Sequence, residues 1–184
     1  MNHGINMNKV QRQFDYEAID QRDVLQYRVT LTSMFVATYE HCKDGIVSQA
    51  RSCFTVCGKL GDKYGKEVLG RHKKLDVSTL LWIQENGGIT SKEIERYEEI
   101  TKLRNELVHE YIHVLTDKNF PLDKVFQCFL DTISLIERTD SWFFQQSPEF
   151  AIMESEQESR KIGEVISQPA LILKKIFLKL LEQG

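Results

Sequence analysis

The chain has little of what breaks or bends a backbone: its 184 residues include three prolines and ten glycines. Proline removes a helix donor and glycine weakens a helix, so their scarcity favours a helical protein. A basic excess is also missing. The formal net charge of −3 excludes a general nucleic-acid-coating protein and leaves room only for a local basic site. No run reaches the roughly 18 consecutive apolar residues of a membrane span, so a membrane is not expected as a partner. The start, MNHGINMNKVQRQFDYEAIDQRD, is polar and has no apolar segment of the signal-peptide kind. The expected compartment is the cytoplasm. Among Cys42, Cys53, Cys57 and Cys128 there is no C-x-x-C pair. If their segment is helical, Cys53 and Cys57 share a face that a metal could use with His41. Small buried thiols in a reducing cell are the stronger reading.

What is present is helical periodicity. Residues 1–16 read as a frayed arm. From Asp20 to Cys57, apolar residues recur at three- and four-residue steps through Val24, Leu25, Val29, Leu31, Phe35, Val36, Ile46, Val47 and Phe54. KDG at 43–45 marks a division into two helices. GKLGDKYG at 58–65 reads as a surface loop. It approaches a phosphate-binding Gly-rich loop, but Leu60 stands where glycine is needed and Glu67 where Ser or Thr follows the lysine. Residues 66–85 are helical in pieces, with LLWI at 80–83 as core, and ENGGIT breaks the chain. Thr90-Ser91-Lys92-Glu93 is a capping box that starts a helix running to about Leu115. Pro121, at a first helical position, opens another over 121–146.

Residues 147–168, rich in Ser, Glu and Gln, read as a linker. Residues 169–184 form a C-terminal amphipathic helix. Its stripe is Leu173, Ile176, Phe177, Leu180 and Leu181, with Lys174, Lys175 and Lys179 around it. Packing on its own bundle, with Trp142-Phe143-Phe144 as landing site, is favoured over a membrane surface or a partner. No useful strand pattern appears. The expectation is an all-α, up-and-down bundle of four to five helices over 1–146, with a C-terminal helical extension.

The stretch KLRNELVHEYIHVL at 102–115 spells two chemistries. On a helical wheel, Ile100, Leu103, Leu107 and Val114 form one stripe. Ile94, Tyr97, Thr101, Arg104, Val108, Tyr111 and Leu115 form a second beside it. An arginine on an apolar stripe must find a partner, because a desolvated unpaired charge is costly. His109 lies about 140° round the helix from Arg104, so one straight helix does not close the two together. A second copy across a two-fold axis lets the polar groups of both chains converge.

RNELVHEY at 104–111 resembles the Arg-x4-His-x-Tyr motif of HEPN domains, most closely the HepT-like toxin branch. The helix break and following helix in IHVLTDKNFPLDKVFQCFLDTI resemble that family too, and the likeness covers about residues 20–145. The resemblance implies a helical-bundle homodimer and a metal-independent endoribonuclease of the toxin or defence kind, with no cofactor. It makes Arg104 and His109 the catalytic pair and Asn105 a supporting polar group. Tyr111 matches the tyrosine that a partner nucleotidyltransferase, acting as antitoxin, modifies with AMP. The residue types suit this chemistry. A 2′-OH attacks the adjacent phosphate, a histidine moves protons, and an arginine holds phosphoryl oxygens. RNA, not DNA, carries that nucleophile, and single strands and loops are the expected targets.

Two other readings compete. A HEPN-like module can dimerise and bind without cutting. HEYIH at 109–113 also spells H-E-x-x-H, with His109 and His113 as zinc ligands and Glu110 as general base. That reading needs a third ligand, and Asp131 or Glu137 has no recognisable local motif. It ranks well behind the other two.

Overall fold

A computed structural model describes residues 21–147 and 167–181. The expected arm over 1–16 and nearly all of the expected linker lie outside them. The described residues form an all-α helical bundle. Its elements are α1 (Arg22–Cys53), a two-stranded hairpin of β1 (Thr55–Val56) and β2 (Lys59–Leu60), α2 (Asp62–Glu67), a 3-10 turn (Leu69–Arg71), α3 (Leu75–Glu85), α4 (Ser91–His109), α5 (Tyr111–Leu115), α6 (Leu122–Gln145) and α7 (Gln168–Leu181).

α1 is a single helix of 32 residues, without the division expected at KDG. Gly45 lowers local propensity, but Cys42, Ile46 and Ala50 are buried on either side of it, and tertiary packing outweighs one weak residue. The buried positions Leu31, Phe35, Tyr39, Cys42, Ile46 and Ala50 keep helical spacing. They pack chiefly against α6, whose buried face includes Val125, Phe129, Ile133, Ile136 and Phe143. Burying a side chain such as Phe35 or Phe129 contributes roughly 1.5–3 kcal/mol.

The expected loop at 58–65 is instead structured. Antiparallel pairing joins Thr55 to Leu60 and Val56 to Lys59, and α2 follows. Cys57 and Gly58 turn the hairpin with φ of 49° and 75°, the left-handed region typical of tight turns. Cys53 ends α1 and Cys57 sits in this turn, so they share no helical face. Both are exposed, whereas Cys42 and Cys128 are buried, and all four thiols are free. Burial pushes the Cys42 thiol well up from its usual range, with the Asp140 charge adding to it.

The helix ends on either side of ENGGIT follow the sequence closely. At the end of α3, the Gly88 N–H donates to the Ile83 carbonyl at 2.9 Å and the Gly87 N–H to Gln84 at 3.0 Å. With Gly87 at φ 78°, this is a Schellman stop, and it explains the ENGGIT break. The capping box at the start of α4 forms both ways. The Glu93 N–H donates to Thr90 Oγ1 at 3.3 Å, and the Thr90 N–H to Glu93 Oε2 at 2.7 Å. Pro121 is the N-cap residue of α6 and not its first helical residue.

α7 lies against α6. Ala170 is fully buried and Leu173 packs on the core. Ser167 Oγ donates to Asp140 Oδ2 at 2.6 Å, and Lys174 pairs with Glu137 at 2.5 Å. Trp142 and Phe143, the expected landing site, are turned to Trp82, with centroid separations of 5.5 and 6.4 Å. Among the described residues no helix is long and apolar enough to cross a membrane.

Candidate functional site

α4 does not run to Leu115. It ends at His109, and Glu110 (φ −119°, ψ 28°) breaks it before α5 begins. The cause lies beyond the break. Val114 and Leu115 are buried, and Arg28 of α1 donates from Nη1 to the carbonyls of Leu115 at 2.8 Å and Asp117 at 3.1 Å. The Arg28 guanidinium also sits 5.1 Å from the Phe120 ring centroid. α5 is thereby tied to α1 in a direction that a straight continuation of α4 does not take.

The first stripe is buried as its spacing indicates, with Ile100, Leu103, Leu107 and Val114 all at 3% exposure or less. The second is buried at Ile94 and Tyr97, half-buried at Thr101 and Arg104, and emerges at Val108, which is 41% exposed. The expected wide burial of this helix therefore holds only for its N-terminal part.

Arg104 has the partner that its position demands. Its Nη2 pairs with Glu40 of α1, its Nη1 donates to Asn105 Oδ1 at 3.0 Å, and its guanidinium carbon lies 5.6 Å from the Tyr39 ring centroid. Nε is buried and without a hydrogen-bond partner. Glu40 also accepts from Lys43 Nζ at 2.9 Å. Burial raises the Glu40 carboxyl, but the hydrogen bond and charge of Lys43, followed by Arg104, outweigh it and hold the group below its ordinary value. Neither Glu40 nor Lys43 stands out in the sequence. A pair 64 residues apart leaves no local spacing signal; the only hint is that an arginine on an apolar stripe needs an acid.

Behind Arg104 runs a polar seam. The Tyr97 hydroxyl donates to Asp76 Oδ2 at 2.7 Å and lies 3.3 Å from the Tyr39 hydroxyl. Tyr39 hydrogen-bonds Thr101 Oγ1 at 3.1 Å, and the two tyrosine rings stack at 5.7 Å. Burial, then the Tyr39 hydroxyl, then Asp76 raise the Tyr97 phenol far above its usual range, so it is a neutral donor. The seam joins α1, α3 and α4 and fixes the ring on which Arg104 rests.

His109 is different. It is the last residue of α4 and is exposed, as are Glu110 and His113, while Tyr111 is half-buried. Ile112, at 71% exposure, and Val108 flank it with apolar surface. Arg104 and His109 are not brought into contact within the chain, whereas Arg104 and Asn105 are. The break also takes His109 and His113 off a common helix, which the H-E-x-x-H reading needs. Asp131 is held by Arg96 at 2.7 Å and by Gln127 at 2.9 Å, and Glu137 by Lys174. Among the described residues no three His, Cys, Asp or Glu side chains form a group able to hold a metal.

The fold and site together define an all-α bundle with a fixed arginine in the last turns of α4 and an exposed histidine at its end. No family model matches the chain, and no curated protein or solved structure does either.

Proposed function

We propose that the chain is a metal-independent endoribonuclease of HEPN type, acting as a toxin or defence component. The observation that supports it most is the end of α4: Arg104, with Asn105 hydrogen-bonded to its Nη1 and the Tyr39 ring beneath its guanidinium, stands five positions before an exposed histidine. In this reading Arg104 holds the phosphate and Asn105 steadies it. His109 takes the 2′-OH proton, the 2′-oxygen bonds to phosphorus, and the P–O5′ bond breaks. The leaving oxygen takes up a proton, and a 2′,3′-cyclic phosphate remains.

Because His109 and Arg104 face different ways, the working site needs two copies. The surface of Val108 and Ile112 beside His109 is where the two-fold axis belongs. Light scattering should give about twice 21.5 kDa, and a strict monomer at micromolar concentration removes the composite site. A nucleotidyltransferase-type antitoxin, with Tyr111 as the residue it modifies, completes the proposal.

The second reading is a non-catalytic HEPN-like dimeric module. The Glu40 pair favours it, since an arginine already neutralised has a structural task. Cleavage of labelled RNA separates the readings. Arg104→Ala and His109→Ala should each lower the rate by about a hundredfold or more, while Glu110→Gln and His113→Ala leave most of it. Activity should survive EDTA. An inactive wild-type protein supports the silent module. Loss of activity in Glu110→Gln and with chelator, but not in Arg104→Ala, returns the stretch to the H-E-x-x-H metal reading.

A further inference from the structure

The chain is acidic overall, yet residues 59–74 carry six Lys and Arg against two Asp and Glu. This basic segment follows α1 and leads into α3. At its edge lies a cleft of about 680 Å³ between the C-terminal half of α1 and the start of α3. Lys43, Arg51 and Lys74 line it, with the hydroxyls of Ser48 and Ser52 between them. Arg51 and Lys74 are exposed at its mouth.

Two carboxylates also line the cleft: Asp76, which accepts from the Tyr97 hydroxyl at 2.7 Å, and Asp44, which with Glu40 offsets the charge of Lys43, so the cationic character of the cleft rests on Arg51 and Lys74. The wall is shared with the arginine site. Lys43 lines the cleft and holds Glu40, which holds Arg104. Asp76 stands at the other end of the tyrosine seam that supports the same arginine. From Glu40 to Arg51 is eleven residues, about 16 Å along the helix. Cations and hydroxyls in a row along one helix face suit a repeating phosphate chain better than a single compact anion.

We infer that this cleft binds the phosphate backbone of single-stranded RNA on one side of the scissile bond, with Arg51 and Lys74 as its principal contacts. The inference rests on the ribonuclease reading for its substrate. A strand held at Arg104 runs past Lys43 into the cleft, where backbone contacts give affinity without base preference.

The test is fluorescence anisotropy of the full chain with a labelled, unstructured, 2′-O-methylated oligoribonucleotide, which lacks the nucleophile and stays intact. Arg51→Gln with Lys74→Gln should weaken binding about tenfold at low salt. It should also reduce the slope of log affinity against log salt by roughly 1.4, from about 0.7 per lost contact on a single strand. Lys92→Gln with Lys124→Gln, two exposed cations outside the cleft, should change neither. Circular dichroism checks both variants for native helicity. Equal losses in the two double variants, or no loss in the first, overturns the inference; so does a wild-type protein that binds no oligonucleotide. Cleavage by Arg104→Ala and His109→Ala is measured separately. If those variants lose cleavage while Arg51→Gln with Lys74→Gln binds normally, the ribonuclease reading stands and the cleft falls. If they cleave normally, the reading falls whatever the cleft does.

Discussion

The two halves of the 104–115 stretch are built on different terms. Around Arg104 every neighbour is fixed: Glu40 is pinned by Lys43, Tyr39 stacks on Tyr97, and Tyr97 is anchored on Asp76. Around His109 the chain is a helix end at the surface, with Val108 and Ile112 uncovered. A group that holds a substrate charge gains from rigidity, since a preorganised donor needs no rearrangement during reaction. In the proposed ribonuclease, a histidine that exchanges protons at a site shared between subunits must reach outward. The contrast teaches how differently the two are held: the arginine is ordered by its own bundle, and the histidine stands at the bundle's surface.

The largest effect that sharpens this contrast is on stability. Leu107→Ala, at a fully buried position just before the exit, should cost about 2–5 kcal/mol in chemical denaturation. Ile112→Ala, at 71% exposure, should stay within about 0.5 kcal/mol at dilutions where the chain is monomeric. Equal losses at the two positions would mean that the surface half is packed after all.

Next comes the seam. Tyr97→Phe removes the donor to Asp76 and leaves that carboxylate without its buried partner, which should cost about 1–3 kcal/mol. An unchanged midpoint would show that water replaces the hydroxyl at no loss. Deleting residues 167–184 uncovers the α6 surface under Ala170 and Leu173 and frees Asp140 from Ser167. The melting temperature should fall by a few degrees, about 2–4 °C for each kcal/mol lost in a chain of this size. Unchanged melting would make α7 a docking helix and not a packed one.

The smallest effect is at Glu40. Its pair with Arg104 is partly open to solvent, with side chains 32% and 24% exposed, so Glu40→Gln should cost no more than about 1 kcal/mol. The sign of its pH dependence is fixed. The folded carboxyl titrates below its ordinary value of 4.5, so its contribution is present above that pH and lost as pH falls through the lower folded value. Wild type and variant should therefore converge in acid. A gap that widens there would contradict the assigned pairing.

Much of this was legible in the residues. The capping box at Thr90 and Glu93, the double-glycine stop and the stripe of Ile100, Leu103, Leu107 and Val114 are local signals, and each is realised. The break at Glu110 was not, because HEYIHV contains no Gly or Pro. It follows from Arg28 gripping the Leu115 carbonyl from 87 residues away. The unbroken α1 was missed for the opposite reason: KDG carries a local stop signal that long-range packing overrides. Arg104 announced its need for an acid, but nothing near it in sequence identified Glu40.

The length of α1 has a further consequence, for synthesis. Its C-terminal half is fastened to α6 by Gln49, which donates to Asp140 at 2.6 Å from 91 residues away. At translation rates of about 5–20 residues per second, α6 follows α1 by roughly 5–18 seconds. Through that interval the apolar stripe from Leu31 to Ala50 is covered only as far as α3 and α4 can reach it. The nascent chain is most open to chaperones, and to other nascent chains, until Phe129 and Ile133 have emerged.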